Sequence, residues 1–262
     1  MRTMTTSTIR RRLSAGLMLA AAALTVTGLA GCDDKTGLGG TKTEQQSQTY
    51  QHKVTKIEFN LNAGDISVSS ADAADTVAVE RKLEWADDKP EVKEEWAGDT
   101  LRITVHCKQP EHCSVSYTVR APAAVSVTGK TGAGDLAITD VTGDIDLDTE
   151  AGDSTIRGTA GKLRINTTAG DIDASDLKSA DAQLKTESGN VTARFAAVPT
   201  KVVATSTSGN IEVAVPKADS GSFQIKAETK AGDRKVDVTQ DAASGRSIDA
   251  TTESGNVSVV YA

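Results

Sequence analysis

Residues 149–174 read T-E-A-G-D-S-T-I-R-G-T-A-G-K-L-R-I-N-T-T-A-G-D-I-D-A. The phrase T-E-A-G-D at 149–153 returns as T-T-A-G-D at 167–171, and apolar residues alternate with polar ones between and after the two copies. Alternation with period two places successive side chains on opposite faces of an extended strand. Glycine supplies the positive φ that a sharp corner demands, and Asp or Asn beside it hydrogen-bonds nearby backbone amides. A fainter half-repeat, Gly143-Asp144 and Gly161-Lys162, falls between the phrases. One unit is therefore two short strands and two corners.

Working outward, the phrase recurs as T-G-A-G-D at 131–135, T-E-S-G-N at 186–190, S-T-S-G-N at 206–210, T-K-A-G-D at 229–233 and T-E-S-G-N at 252–256, with a weaker copy, L-N-A-G-D, at 61–65. Its corner glycines are Gly64, Gly134, Gly152, Gly170, Gly189, Gly209, Gly232 and Gly255, and from Gly134 onward the intervals are 18, 18, 19, 20, 23 and 23 residues. Self-similarity at a nearly fixed period marks a repeat architecture. The expectation is an all-β chain: a single-stranded β-helix or β-solenoid with coils of about 18–23 residues over 121–262. Stacked coils would pair strands about 4.8 Å apart. The wider intervals beyond Gly209 predict longer loops there. Upstream, Ile57/Phe59/Leu61, Val77/Val79, Leu101/Ile103/Val105 and Val115/Tyr117/Val119 also alternate, so 53–120 reads as a short β-meander in front of the solenoid.

Composition agrees with a thin core. Aromatics make up only 3% of the 262 residues, too few for a bulky globular interior but compatible with a narrow Val/Ile/Leu/Ala ladder.

The N-terminus carries a separate message. Arg2, Arg10, Arg11 and Arg12 precede an apolar run from Leu13 to Ala30, which Ser14, Thr25, Thr27 and Gly28 interrupt. A spanning helix needs about 20 consecutive apolar residues; a basic flank with a short apolar core is an export signal. The run ends in Leu29-Ala30-Gly31-Cys32, which resembles the bacterial lipobox. That resemblance implies a signal peptide over 1–31, acylation of the Cys32 thiol, and attachment to the outer face of the cytoplasmic membrane, with Asp33-Asp34 as a retention signal. Residues 32–52 are polar and Gly/Gln-rich and read as a flexible tether. Removing 1–31 takes four of the 29 basic residues and none of the 36 acidic ones, leaving 25 against 36, a net charge of −11. An acidic surface does not bind nucleic acid or anionic lipid through its field, so the lipid is the expected membrane contact.

The recurring T-x-S-G-D-[IV] phrase and the terminal V-S-V-V-Y strand resemble the bacterial toastrack domain, an adhesin-labelled domain of unknown function, over roughly residues 53–262. The resemblance implies an extracytoplasmic stacked-strand fold, often tethered to membranes, and assigns no activity, since a fold does not fix a ligand.

Few residues invite chemistry. Cys107 and Cys113 lie in H-C-K-Q-P-E-H-C between two alternating segments. In an oxidising compartment they read as a disulfide closing a hairpin; His106, Cys107, His112 and Cys113 as a metal site is the weaker reading, because adjacent strand residues face opposite ways. The Gly-Asp corners suggest calcium, but they lack the G-G-x-G-x-D spacing, and Asn190, Asn210 and Asn256 weaken any cage, so turn chemistry is favoured. Gly129-Lys130-Thr131 imitates a phosphate loop without its first glycine, where Ala124 stands, and Ser175-Asp176-Leu177-Lys178 matches a Ser-x-x-Lys nucleophile without partner motifs. Trp85 and Trp96 read as an end cap of the stack, with sugar stacking as the sharper alternative. No catalytic residue, metal ligand or cofactor is assigned. The resulting expectation is a non-enzymatic surface lipoprotein whose solenoid acts as a structural or adhesive module toward wall glycan or a surface protein. Envelope-stress sensing or scaffolding is the alternative, and a polysaccharide-acting β-helix enzyme the distant one.

Overall fold

The computed structural model describes residues 40–71, 75–217 and 222–262. Cys32, the expected signal peptide and most of the expected tether lie outside them. Strand β1 (Lys42–Gln51) comes first, followed by β2 (Lys56–Ala63) and β3 (Ile66–Ala71), which meet at the Gly64-Asp65 corner. An insertion of β4 (Thr76–Trp85), β5 (Glu91–Ala97), β6 (Thr100–His106) and β7 (Cys113–Pro122) comes next. The repeats then form strand pairs: β8 (Ser126–Ala133) with β9 (Leu136–Thr139), β10 (Ile145–Ala151) with β11 (Ser154–Arg157), and β12 (Leu163–Ala169) with β13 (Ile172–Leu177). They continue through β14 (Asp181–Ser188) with β15 (Val191–Phe195), β16 (Lys201–Ser208) with β17 (Ile211–Val215), β18 (Gln224–Ala231) with β19 (Arg234–Val236), and β20 (Ser247–Ser254) with β21 (Val257–Tyr261).

Each pair contributes one strand to each of two facing sheets, joined at the glycine corner. One sheet has the order β1-β4-β7-β3-β9-β11-β13-β15-β17-β21-β19, and the other β18-β20-β16-β14-β12-β10-β8-β2-β6-β5. Pairing between coils is parallel throughout, so equivalent residues stack in rows. Ile57, Val127, Ile145, Leu163, Ala182, Val202 and Ile248 form one inner row, and every member is at most 2% exposed. Facing it, Ile66, Leu136, Ser154, Ile172, Val191, Ile211 and Val257 form another. Parallel stacking of like on like turns the sequence repeat into a continuous slender core.

The order of the coils departs from the order of the chain at both ends. The β20–β21 coil lies between β16–β17 and β18–β19, so the later coil is inside and the earlier one outside. At the other end β2–β3 is enclosed between β8–β9 and β6–β7. Edge polarity accounts for the choice. An exposed strand edge is protected by charge, Lys above all. At the inward position that Val257 fills in the enclosed β21, the outermost β19 carries Arg234, and the outward positions of β18 and β19 add Lys226, Glu228, Lys230 and Lys235. The 23-residue glycine intervals are the chain stepping over one coil and returning.

Three expectations are corrected. Residues 42–51, read as part of a flexible tether over 32–52, form a ten-residue strand paired antiparallel with β4; lacking apolar alternation, they look like a spacer, but they satisfy their backbone at the sheet edge. The segment 53–120 is not a meander ahead of the solenoid: β2–β3 is a coil of it, and β6–β7 runs parallel to that coil as another. The 107–113 bridge closes no hairpin, because β6 and β7 belong to different sheets; it joins the sheets where the repeats have a glycine corner.

Candidate functional site

The corner phrase resolves residue by residue. Its Thr or Ser points inward, and the hydroxyl donates to the glycine carbonyl of the neighbouring coil, as from Thr186 to Gly170 at 3.0 Å and from Thr252 to Gly209 at 2.9 Å. Gly152 has φ +132, and a Cβ there would come within 2.2 Å of the Gly134 carbonyl oxygen, far inside van der Waals contact. The Asp or Asn side chain accepts the amide of its counterpart one coil on. Asp135 N donates to Asp65 Oδ1 at 3.0 Å, Asp153 N to Asp135 Oδ1 at 2.8 Å and Asp171 N to Asp153 Oδ1 at 2.8 Å. The line continues through Asn190, Asn210 and Asn256 to Asp233. A side-chain amide oxygen replaces a carboxylate in this role without loss, which is why the Asn copies fit. Lys162 N donates to Asp144 Oδ1 at 2.9 Å on the opposite corner, giving the half-repeat the same chemistry.

These carboxylates thus cap backbone amides along the stack. Among the described residues no group of three or more His, Cys, Asp and Glu is placed to hold a metal ion. The four residues weighed as metal ligands do not converge as thiolates: Cys107 and Cys113 are bonded to each other, and His106 and His112 are exposed. Gly129-Lys130-Thr131 lies inside strand β8, where no helix N-terminus exists to receive a phosphate. Ser175 lies in β13, and Asp176 beside it pairs with Arg157 at 2.9 Å. Trp85 and Trp96 are partly buried and pack against the core; Trp96 meets Tyr50 edge-on at 5.4 Å and stacks on His52 at 4.1 Å.

Beside Trp96 is a polar cluster that the sequence reading overlooked. Glu94 of β5 and Arg81 of β4, with side chains 6% and 20% exposed, form an ion pair between the two sheets. Tyr50 donates to Glu94 as well, Tyr117 lies 3.4 Å from it, and Arg81 Nε donates to Gln46 at 2.6 Å. Burial, reinforced by the Glu94 carboxylate, pushes both tyrosine hydroxyls well above their ordinary range. The available signal was Arg81 at an inward position of the alternating Val77-Val79-Arg81-Leu83 series.

The outward faces are broad and polar. On one, the row Arg102, Glu58, Thr128, Asp146, Arg164 crosses consecutive coils, with Arg102 on Glu58 at 2.7 Å and Arg164 on Asp146 at 2.6 Å. A shallow depression of about 500 Å³ there is bordered by Asn60, Arg102, Lys130 and Asp148. A second, of about 620 Å³, lies toward the β18 end beside Lys201, Val203, Gln240 and Asp249. Both are open hollows with mixed charge, suited to contact with a surface more than to enclosing a small molecule.

The Toastrack DUF4097 family model matches residues 50–260. No curated protein matches the chain. Among solved structures, a putative adhesin from Bacteroides fragilis is 13% identical, with a TM-score of 0.47, the alignment covering 84% of this chain and 97% of that one. A putative lipid binding protein from Parabacteroides distasonis is 14% identical, with a TM-score of 0.44 and coverage of 86% and 97%. A putative cell adhesion protein from Clostridium sporogenes is 13% identical, with a TM-score of 0.36 and coverage of 84% and 100%.

Proposed function

The chain belongs to the toastrack family, the matched segment taking in nearly the whole stack of coils, and on that premise we propose that it is a non-enzymatic, lipid-anchored surface protein whose solenoid is a recognition module. One observation carries this reading: one broad face of the coil stack presents outward side chains on a fixed grid, with acids and bases interleaved along the row Arg102, Glu58, Thr128, Asp146 and Arg164. A regular, charge-balanced face of this kind offers hydrogen-bond donors and acceptors to a polyhydroxylated glycan or a protein surface and repels neither.

Attachment in this reading comes from acylated Cys32, supported by the order of basic flank, apolar run, small residues and cysteine. Burial of acyl chains contributes about 0.8 kcal/mol per CH₂, so two or more chains hold a protein firmly. The test has two arms. Expressed in a bacterial host, the chain should partition with membranes and Cys32→Ser should release it. The stack should be retained by purified wall glycan or by a protein in the envelope fraction, and retention by neither would overturn the recognition role.

A further inference from the structure

Among the described strands, β1 is the longest without a buried residue, a feature that the edge strands β5 and β19 share. None of its ten residues is buried, and its inward positions, Glu44, Gln46, Gln48 and Tyr50, are polar or half-exposed. It has one ladder only, antiparallel to β4, running from Lys42 opposite Trp85 to Gln51 opposite Thr76. The strand that follows it, β2, is held on both sides by β6 and β8. The side-chain attachments of β1 are Lys89 on Glu44, Arg81 on Gln46 and, at the far end, Tyr50 on Glu94 with Trp96 against the ring and Thr76 on Gln51. Load arriving from upstream of residue 42 therefore meets the paired edge at its free end. It would break the ladder one residue pair at a time, with the Tyr50 and Gln51 contacts last and the doubly held β2 as a stop.

We propose that β1 is a releasable strap, a reserve of chain that unzips from β4 under tension and lengthens the connection to the anchor while the coil stack stays folded. This goes beyond the recognition role and does not depend on acylation of Cys32, only on load entering from the N-terminal side. Segments with few buried contacts open at low free energy, independently of global unfolding. Ten released residues supply roughly 30–35 Å of extended chain.

The experiment pulls the full, unacylated chain between the Cys32 thiol and a cysteine introduced by Gly245→Cys, an exposed position with open space around it. The expected trace shows a small reversible step of roughly 30–35 Å at low force, before the stack unfolds. Tyr50→Ala should lower the force of that step and leave the later one unchanged. In the unmodified chain, hydrogen exchange of amides 42–51 should run about tenfold or more faster than in β7. Loss of β1 only in a single event together with the stack, or equal protection of β1 and β7, would overturn the proposal whatever the domain binds.

Discussion

The backbone amide of Asn256 donates to Asn210 Oδ1 at 2.8 Å, although Asp233 is the corner residue that precedes Asn256 in the sequence. Asp233 in turn donates its amide to Asn256. The ladder of side-chain caps thus runs from 210 to 256 and back to 233, recording the interchange of the last two coils. Replacing one rung, as in Asn210→Ala, leaves the Asn256 amide without its cap and should cost about 1 kcal/mol by urea denaturation.

Glycine at the corners is set by the neighbouring coil as much as by its own dihedral angles. Gly189→Ala would drive a methyl group into the Gly170 carbonyl at φ +150 and should cost at least about 2 kcal/mol. Gly245, with nothing within 4 Å, is the control, and Gly245→Ala should stay within about 0.5 kcal/mol of the parent. The two variants compared in one denaturation series separate crowding from backbone entropy.

Ser154 occupies the apolar row between Leu136 and Ile172, is 1% exposed, and its hydroxyl lacks a hydrogen-bond partner. Ser154→Val removes the unsatisfied group and fills the row. Stability should rise by about 1–2 kcal/mol, read as a higher urea midpoint with an unchanged slope.

Much of this architecture is visible in the residues before any coordinates. The corner glycines, the alternating Val and Ile positions and the 107–113 pairing all follow from short-range pattern. Coil order does not, because every copy of the phrase offers the same cap and the same inward threonine, so Thr205 could pair with Thr251 or with Glu228 equally well on local grounds. Comparing Arg234 on one coil with Val257 at the same inward position of the other decides which can face water, and that comparison spans two coils. Strand β1 was hidden for the opposite reason: Gln46, Gln48 and Tyr50 carry no apolar period, and only the edge of β4 makes them a strand. Glu94 looked like one more surface acid until Arg81 was placed opposite it.

Alkaline titration should distinguish the three tyrosines. Tyr50 and Tyr117 hold their protons above the ordinary value of 10.0 through burial and the Glu94 charge, while hydrogen bonding with the side chain and backbone of Thr239 lowers Tyr261. For the raised pair the folded state binds more protons than the unfolded one, so their contribution is complete below about pH 10 and is lost as pH rises beyond it. Ultraviolet absorbance should show one tyrosine ionising early and two ionising only as the protein unfolds. Arg81→Ala, which leaves Glu94 without its cation, should lower stability by about 2–4 kcal/mol, somewhat less than for a fully buried pair because Arg81 retains some exposure.

Removing the 107–113 bridge by the double change Cys107→Ser and Cys113→Ser deletes a crosslink over six residues of chain. The loss should be about 2–3 kcal/mol by the loop-entropy relation. Circular dichroism of the variant should keep its β signature, since the coils are held by their own ladders.

Everything proposed for the faces depends on the stack having the interlocked order, and paired cysteines on the outward row test it directly. Thr205 is in register with Thr251, and Thr251 with Glu228. In the variant Thr205→Cys with Thr251→Cys, mild oxidation should form the 205–251 bond in the native protein, while Thr205→Cys with Glu228→Cys should keep both thiols free. A 205–228 bond formed readily, with the 205–251 pair unreactive, would mean that the coils stack in chain order, contradicting the interlocked end.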